Sequence, residues 1–223
     1  FQSKLSLQAF EFFSDHALEK VIEAHGYPKP FETYAPFYAL IDFDNQDNTS
    51  QDDALKLYSE CADKKLVLDG VMSKSIAQSQ NMWKLREDIS ETLWHYQPYK
   101  NDLSVRISKM PKFLDEVGSF IKKSYPNFEV IWYGHIGDGN LHLNILKPAA
   151  LNKSEFKSLC DDISMNLGQL VESYDGSISA EHGVGILKRD YLKFSKSSGE
   201  ISLMAEVKKV FDPKGILNPG KLL

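Results

Sequence analysis

The stretch Tyr133-Gly134-His135-Ile136-Gly137-Asp138-Gly139-Asn140-Leu141-His142-Leu143-Asn144 decides the reading of this chain. Its two flanks have strand character, and Gly-Asp-Gly-Asn between them is turn chemistry, so the segment reads as a β-hairpin. With the turn centred between Asp138 and Gly139, His135 and His142 fall opposite one another, and Asn144 returns to the same face two residues on. Two imidazoles then converge within reach of one ion. Imidazole suits zinc or manganese, and two histidines with one carboxylate leave positions open for substrate, as a catalytic rather than a structural site requires. The best source of that carboxylate is Glu181 in Ser179-Ala180-Glu181-His182-Gly183-Val184-Gly185, where a short strand breaks into a glycine-rich turn. Neighbours on a regular strand point to opposite faces, so Glu181 and His182 serve one site only if the strand ends there, and Gly183 and Gly185 permit that. A plainer reading stands beside this one: a lone histidine usually caps a strand or satisfies a core hydrogen bond, and exposed Glu-His pairs are common.

Outward from the hairpin, residues 129–135 and 141–146 are its strands, 103–107 is a further strand, and 111–123 and 153–174 are helices. The earlier part reads as a helix over 5–24 closed by His25-Gly26-Tyr27-Pro28, a strand over 37–43, a helix over 52–64, a strand over 66–71 and a long helix over 75–94. That last helix turns Trp83, Leu85, Ile89 and Leu93 towards a core. The polar segment 42–53 lacks the glycine and bidentate glutamate of a calcium loop and reads as a solvated loop. A short strand over 177–181, a helix over 201–210 and an irregular tail rich in proline and glycine complete the chain. The fold class is α+β, in two halves of loosely similar order, roughly 1–100 and 101–223.

A chain of 223 residues is long enough for a full core, as one large domain or two fused small ones. Its charged fraction of 26% with net charge −5 leaves no basic surplus for nucleic acid or an anionic leaflet. Cys61 and Cys160 are too few and too isolated for a disulfide framework, a zinc ribbon or an iron–sulfur cluster, and are expected to be reduced and structural. No apolar run of about 18 residues appears, and the first residues lack a signal peptide's pattern, so a cytoplasm-like compartment is expected. The sequence opens at Phe1 without a methionine and passes straight into helix-forming residues, which is the expectation for a piece of something longer.

Four segments together resemble the C-terminal domain of FAD-linked oxidases of the vanillyl-alcohol oxidase superfamily, in the branch of D-2-hydroxyglutarate, D-lactate and glycolate dehydrogenases. They are Gly134-His135-Ile136-Gly137-Asp138-Gly139-Asn140-Leu141-His142, Glu181-His182-Gly183-Val184-Gly185, Trp83-Lys84-Leu85-Arg86-Glu87, and the closing Phe211-Asp212-Pro213-Lys214-Gly215-Ile216-Leu217-Asn218-Pro219-Gly220-Lys221. The resemblance covers the whole chain. It implies a duplicated ferredoxin-like antiparallel sheet with helices packed on one face, forming the substrate side of a pocket whose other wall is the flavin. The FAD-binding domain precedes this one in the family, and nothing in residues 1–223 looks like it, so an incomplete enzyme is expected.

The resemblance makes His135, His142 and Glu181 the metal ligands and His182 the general base. Arg86 becomes the carboxylate-binding arginine, where residue chemistry alone leaves a surface salt bridge open. Ser90, where the branch often has threonine, and Lys100 in Lys100-Asn101-Asp102-Leu103-Ser104 take further substrate contacts, as does Asn144; Asn218 lies near the flavin ring. The implied reaction oxidises a D-2-hydroxy acid to the 2-oxo acid with hydride transfer to FAD. Arg86 with Lys100 favours a dicarboxylate such as D-2-hydroxyglutarate, because two cations at one pocket are costly without an anion. The implied electron acceptor is an electron-transfer flavoprotein or a quinone. Lactate or glycolate as substrate, the identity of the metal and a homodimer all stay open. So do two readings of other classes: a non-catalytic metal-dependent hydroxy-acid-binding module, and a structural α+β domain with core histidines.

Overall fold

A computed structural model describes residues 5–45 and 49–223. Along the chain the elements are β1 (Leu7–Ser14), α1 (Asp15–His25), β2 (Phe37–Phe43), α2 (Ser50–Asp63), α3 (Ile76–Glu87) and α4 (Ile89–Trp94). There follow β3 (Tyr99–Ser104), α5 (Met110–Ser124), β4 (Glu129–His135), β5 (Asn140–Leu146), α6 (Lys153–Ser173), the short α7 (Gly185–Lys188) and α8 (Ser198–Phe211). They divide into two compact units. The first is built from the chain up to Gln97 together with Ile131–Gly137, and the second from Pro98–Val130 and Asp138–Leu223.

In the first unit β1 runs antiparallel to β2, with Phe13 opposite Tyr38, and antiparallel to β4, with Glu11 opposite His135 and Phe13 opposite Tyr133. The helix expected over 5–24 is therefore half strand. Phe10, Phe12 and Phe13 suit a pleated surface, and ladders on both sides of β1 satisfy a backbone that a helix would have satisfied internally. The helix begins only at Asp15, an acid in the first turn. It ends where the chain suggested, with Gly26 left-handed at φ +69° and its N–H donating to Ile22 C=O at 2.8 Å. The long helix expected over 75–94 is two helices that meet at Asp88, and it keeps Leu85, Ile89 and Leu93 buried. No strand forms over 66–71, where Leu66, Leu68 and Val71 are exposed. Of the polar segment 42–53, residues 46–48 lie outside the described residues.

In the second unit β3 runs antiparallel to β5, with Lys100 opposite Asn144, Asp102 opposite His142 and Ser104 opposite Asn140. Side chains alternate across a strand, so these six polar groups share one face, while Leu103, Leu141, Leu143 and Ile145 are buried on the other. Two amphipathic helices complete the core. α5 carries Pro111 in its first turn and buries Met110, Phe113, Val117 and Ile121. α6 starts on a capping box formed by Asn152 and Glu155 and buries Phe156, Cys160, Ile163, Leu167 and Val171. Burial pushes the Cys160 thiol up to about 12, which makes it an unreactive core residue.

The strand expected over 177–181 shrinks to one bridge, in which Ser177 and Ser104 exchange two backbone hydrogen bonds of 2.9 Å. The irregular tail is gathered by Asp212, which accepts from the N–H of Ile216 and Leu217 at 2.9 and 3.0 Å and from Lys208 Nζ at 2.6 Å. In chain order, β3-α5-β4-β5-α6-bridge follows the β-α-β-β-α-β succession of the ferredoxin-like motif. The paired strands within each unit are antiparallel and the fold is α+β. Among the described residues no helix is long and apolar enough to cross a membrane.

Gly139 has φ +87°, and a Cβ there would lie 2.3 Å from the Val105 carbonyl oxygen. Gly139→Ala is expected to cost about 2 kcal/mol or more in denaturant unfolding. Gly118→Ala, at a helical position where a Cβ meets nothing within 4 Å, should instead stabilise by about 0.5–1 kcal/mol.

Candidate active site

The polar face of β3 and β5 leads to a cluster in the second unit. Asp102, His142, Glu181 and His182 each offer one ligand-capable atom, and these atoms all lie within 4.8 Å of one another. The imidazoles of His142 and His182 stack, with centroids 5.5 Å apart and planes inclined by 16°. Glu181 lies at their Nε2 ends, its Oε1 3.3 Å from each nitrogen. Asp102 lies at their Nδ1 ends, with Oδ1 3.8 Å from His142 Nδ1 and Oδ2 3.5 Å from His182 Nδ1. Asp102 is buried, whereas the His182 side chain is 62% exposed.

Asp102 Oδ2 also accepts the backbone N–H groups of Glu181 and His182 at 3.1 and 3.0 Å, and Lys188 Nζ stands 3.7 Å away. Burial opposes the charge on Asp102. The two N–H groups, with help from Lys188 and His182, outweigh it and hold the carboxyl below its ordinary value. Lys188 is pushed the other way: burial lowers its pKa, and Asp102 works against that.

This donor set fits a divalent cation. His142 Nε2 facing a Glu181 carboxylate oxygen supplies two donors that suit a borderline ion such as zinc, and a carboxylate behind Nδ1 is the partner that metal-binding histidines use to fix ring and tautomer. Asp102 Oδ1 is buried without a hydrogen-bond partner, a negative atom whose cost a nearby cation would offset.

The first unit builds a smaller constellation. Glu11, buried on β1, meets His135 Nδ1 through Oε1 at 2.7 Å and Arg86 through Oε2 at 2.8 Å. The Arg86 guanidinium also stands over the Tyr133 ring at 4.9 Å. Arg86 is 7% exposed, so it is not the surface salt bridge that residue chemistry left open. Its Nε is buried with no hydrogen-bond partner, a donor suited to an incoming carboxylate. His135 repeats the pattern of a histidine whose Nδ1 is held by an acid.

The second unit thus brings together His142, Glu181 and His182, and adds Lys100 directly opposite Asn144. Packing around the Lys100 stem lowers its pKa by desolvation even though the residue stays accessible. Asn144 Oδ1 is buried without a partner. Asn218 takes φ +45°, a left-handed conformation that asparagine tolerates. The first unit holds His135, Arg86 and, on the exposed side of α4, Ser90.

Sequence reasoning missed Glu11 and Asp102. Glu11 was hidden by the expected helix. Asp102 sat one residue before the expected strand, although Lys100-Asn101-Asp102-Leu103-Ser104 places it on the same face as Lys100.

Residues 1–222 match the family described as FAD linked oxidases, C-terminal domain. The chain is 55% identical over 222 residues to a D-2-hydroxyglutarate dehydrogenase of Stutzerimonas stutzeri, covering 100% of this chain and 48% of that protein. It is 48% identical to one of Xanthomonas citri, covering 100% of this chain and 47% of the relative. To the mitochondrial D-2-hydroxyglutarate dehydrogenase of Arabidopsis thaliana it is 36% identical over 220 residues, covering 97% of this chain and 38% of the relative. The chain spans about half the length of the first two relatives and less of the third. By this match, the chain belongs to the family of C-terminal domains of FAD-linked oxidases.

Proposed function

We propose that this chain is the substrate- and metal-binding part of an FAD-dependent dehydrogenase that oxidises a D-2-hydroxy acid, D-2-hydroxyglutarate in the first instance, to the 2-oxo acid. The observation that carries this reading is the cluster of His142, Glu181 and His182 with Asp102 behind it. The named activity of the relatives supports the choice of substrate.

His142 and Glu181 would hold the metal, zinc or manganese, with His135 as the further ligand that the family resemblance assigns. When bound, the metal supplies the Lewis acidity that lowers the pKa of a coordinated hydroxyl. The flavin supplies the two-electron sink, and Asn218 is its proposed contact in this chain. His182 then accepts the hydroxyl proton. With its Nδ1 turned to Asp102, Nε2 is the basic nitrogen, and an imidazole is matched to proton transfer near neutral pH.

Arg86 binds a substrate carboxylate through its guanidinium fork, pre-oriented by Glu11 and Tyr133. Lys100, Ser90 and Asn144 complete the proposed substrate contacts. Lys100 with Arg86 provides the second positive charge that a dicarboxylate needs. The electrons leave to an electron-transfer flavoprotein or a quinone.

The deciding experiment combines elemental analysis with flavin reduction by D-2-hydroxyglutarate in the full-length flavoprotein. One divalent ion per chain, lost in His142→Ala together with activity, is the expected result; a metal-free parent that reduces its flavin normally would overturn the reading. His182→Ala should keep its metal and lose kcat by about 10²–10⁴-fold. Arg86→Lys keeps the charge but not the fork, and should raise KM for the acid by about 10–100-fold with metal content unchanged.

A further inference from the structure

Residues 181 and 182 pose a geometric problem. On an extended strand successive N–H groups point to opposite edges and successive side chains to opposite faces, so an adjacent ligand and base would part company. Here both N–H groups converge on one oxygen, Asp102 Oδ2, at 3.1 and 3.0 Å. Consecutive N–H groups that share an anion form a concave nest, a conformation the extended chain does not have. The anion is supplied from β3, at the position directly opposite His142 on β5. The second oxygen of the same carboxylate faces His142 Nδ1 at 3.8 Å, and Oδ2 faces His182 Nδ1 at 3.5 Å. Lys188 Nζ stands 3.7 Å from Oδ2.

We propose that Asp102 is the positioning residue of this site: one buried carboxylate folds the Glu181-His182 segment so that ligand and base share a face, and presents the Nε2 atoms of His142 and His182 towards Glu181. The inference rests on the proposed roles of His142, Glu181 and His182. Asp102 itself stands at the Nδ1 ends of the rings, with Oδ2 taken up by two backbone N–H groups, and so acts through its neighbours rather than on the substrate.

The test compares Asp102→Asn with the parent in the full-length flavoprotein, reading zinc affinity by competition with a chelating dye alongside kcat and KM for D-2-hydroxyglutarate. Asparagine is nearly isosteric but loses the charge and half of the acceptors. The expected outcome is a folded variant whose zinc affinity and kcat each fall by about 10–100-fold, with KM changing far less. If Asp102→Asn does not fold, Asp102→Ser, which leaves room for water at the two N–H groups, takes its place with the same expectation.

A variant that melts earlier but keeps the parent's zinc affinity and kcat would show a merely structural acid and overturn the proposal. His142→Ala serves as the control. If the parent binds no zinc and His142→Ala is indistinguishable from it, the metal reading itself has failed and takes the Asp102 role with it. If His142→Ala loses zinc while Asp102→Asn does not, only the Asp102 role is wrong.

Discussion

A carboxylate removed from water must find positive or hydrogen-bonding partners, and this requirement organises the functional parts of both units. Glu11 and Asp102 are buried on strands, each directly across from a histidine. Neither is held by a simple ion pair. Glu11 divides its two oxygens between an arginine and an imidazole, and Asp102 divides its own between two imidazoles and two backbone N–H groups. The same interactions that relieve the buried charge therefore fix the orientation of the candidate site's histidines and arginine.

The alternation in Asn140-Leu141-His142-Leu143-Asn144-Ile145 made β5 and its two faces legible from sequence, because a period of two is a strong signal when every other residue is apolar. The amphipathic helices α5 and α6 were legible for the corresponding reason. β1 was not. A segment with three phenylalanines among eight residues satisfies a helical and a strand pattern about equally, and only its pairing with β2 and β4 chooses between them. The expected strand over 66–71 failed in the opposite sense: its apolar residues gain no neighbouring strand and stay exposed.

The candidate site was legible only in part. His142, Glu181 and His182 could be read from spacing and turn chemistry, and they meet in one cluster. The acids behind the histidines could not, because local sequence does not say which strand neighbours which or in what register. Glu11 is separated from His135 by 124 positions and Asp102 from Glu181 by 79. Such contacts are a property of topology, and the residues that make them have no motif of their own.

The cross-strand placement of Asp102 against His142 carries one more implication. Sliding β3 by a single residue along β5 would turn Lys100, Asp102 and Ser104 to the apolar side and bring Asn101 or Leu103 opposite His142. A molecule misassembled in this way would hold every side chain of the cluster without Asp102 opposite His142. Strand alignment is thus read out by the candidate site as well as by the core: the acid lies behind the histidine only when the ladder has closed in this frame.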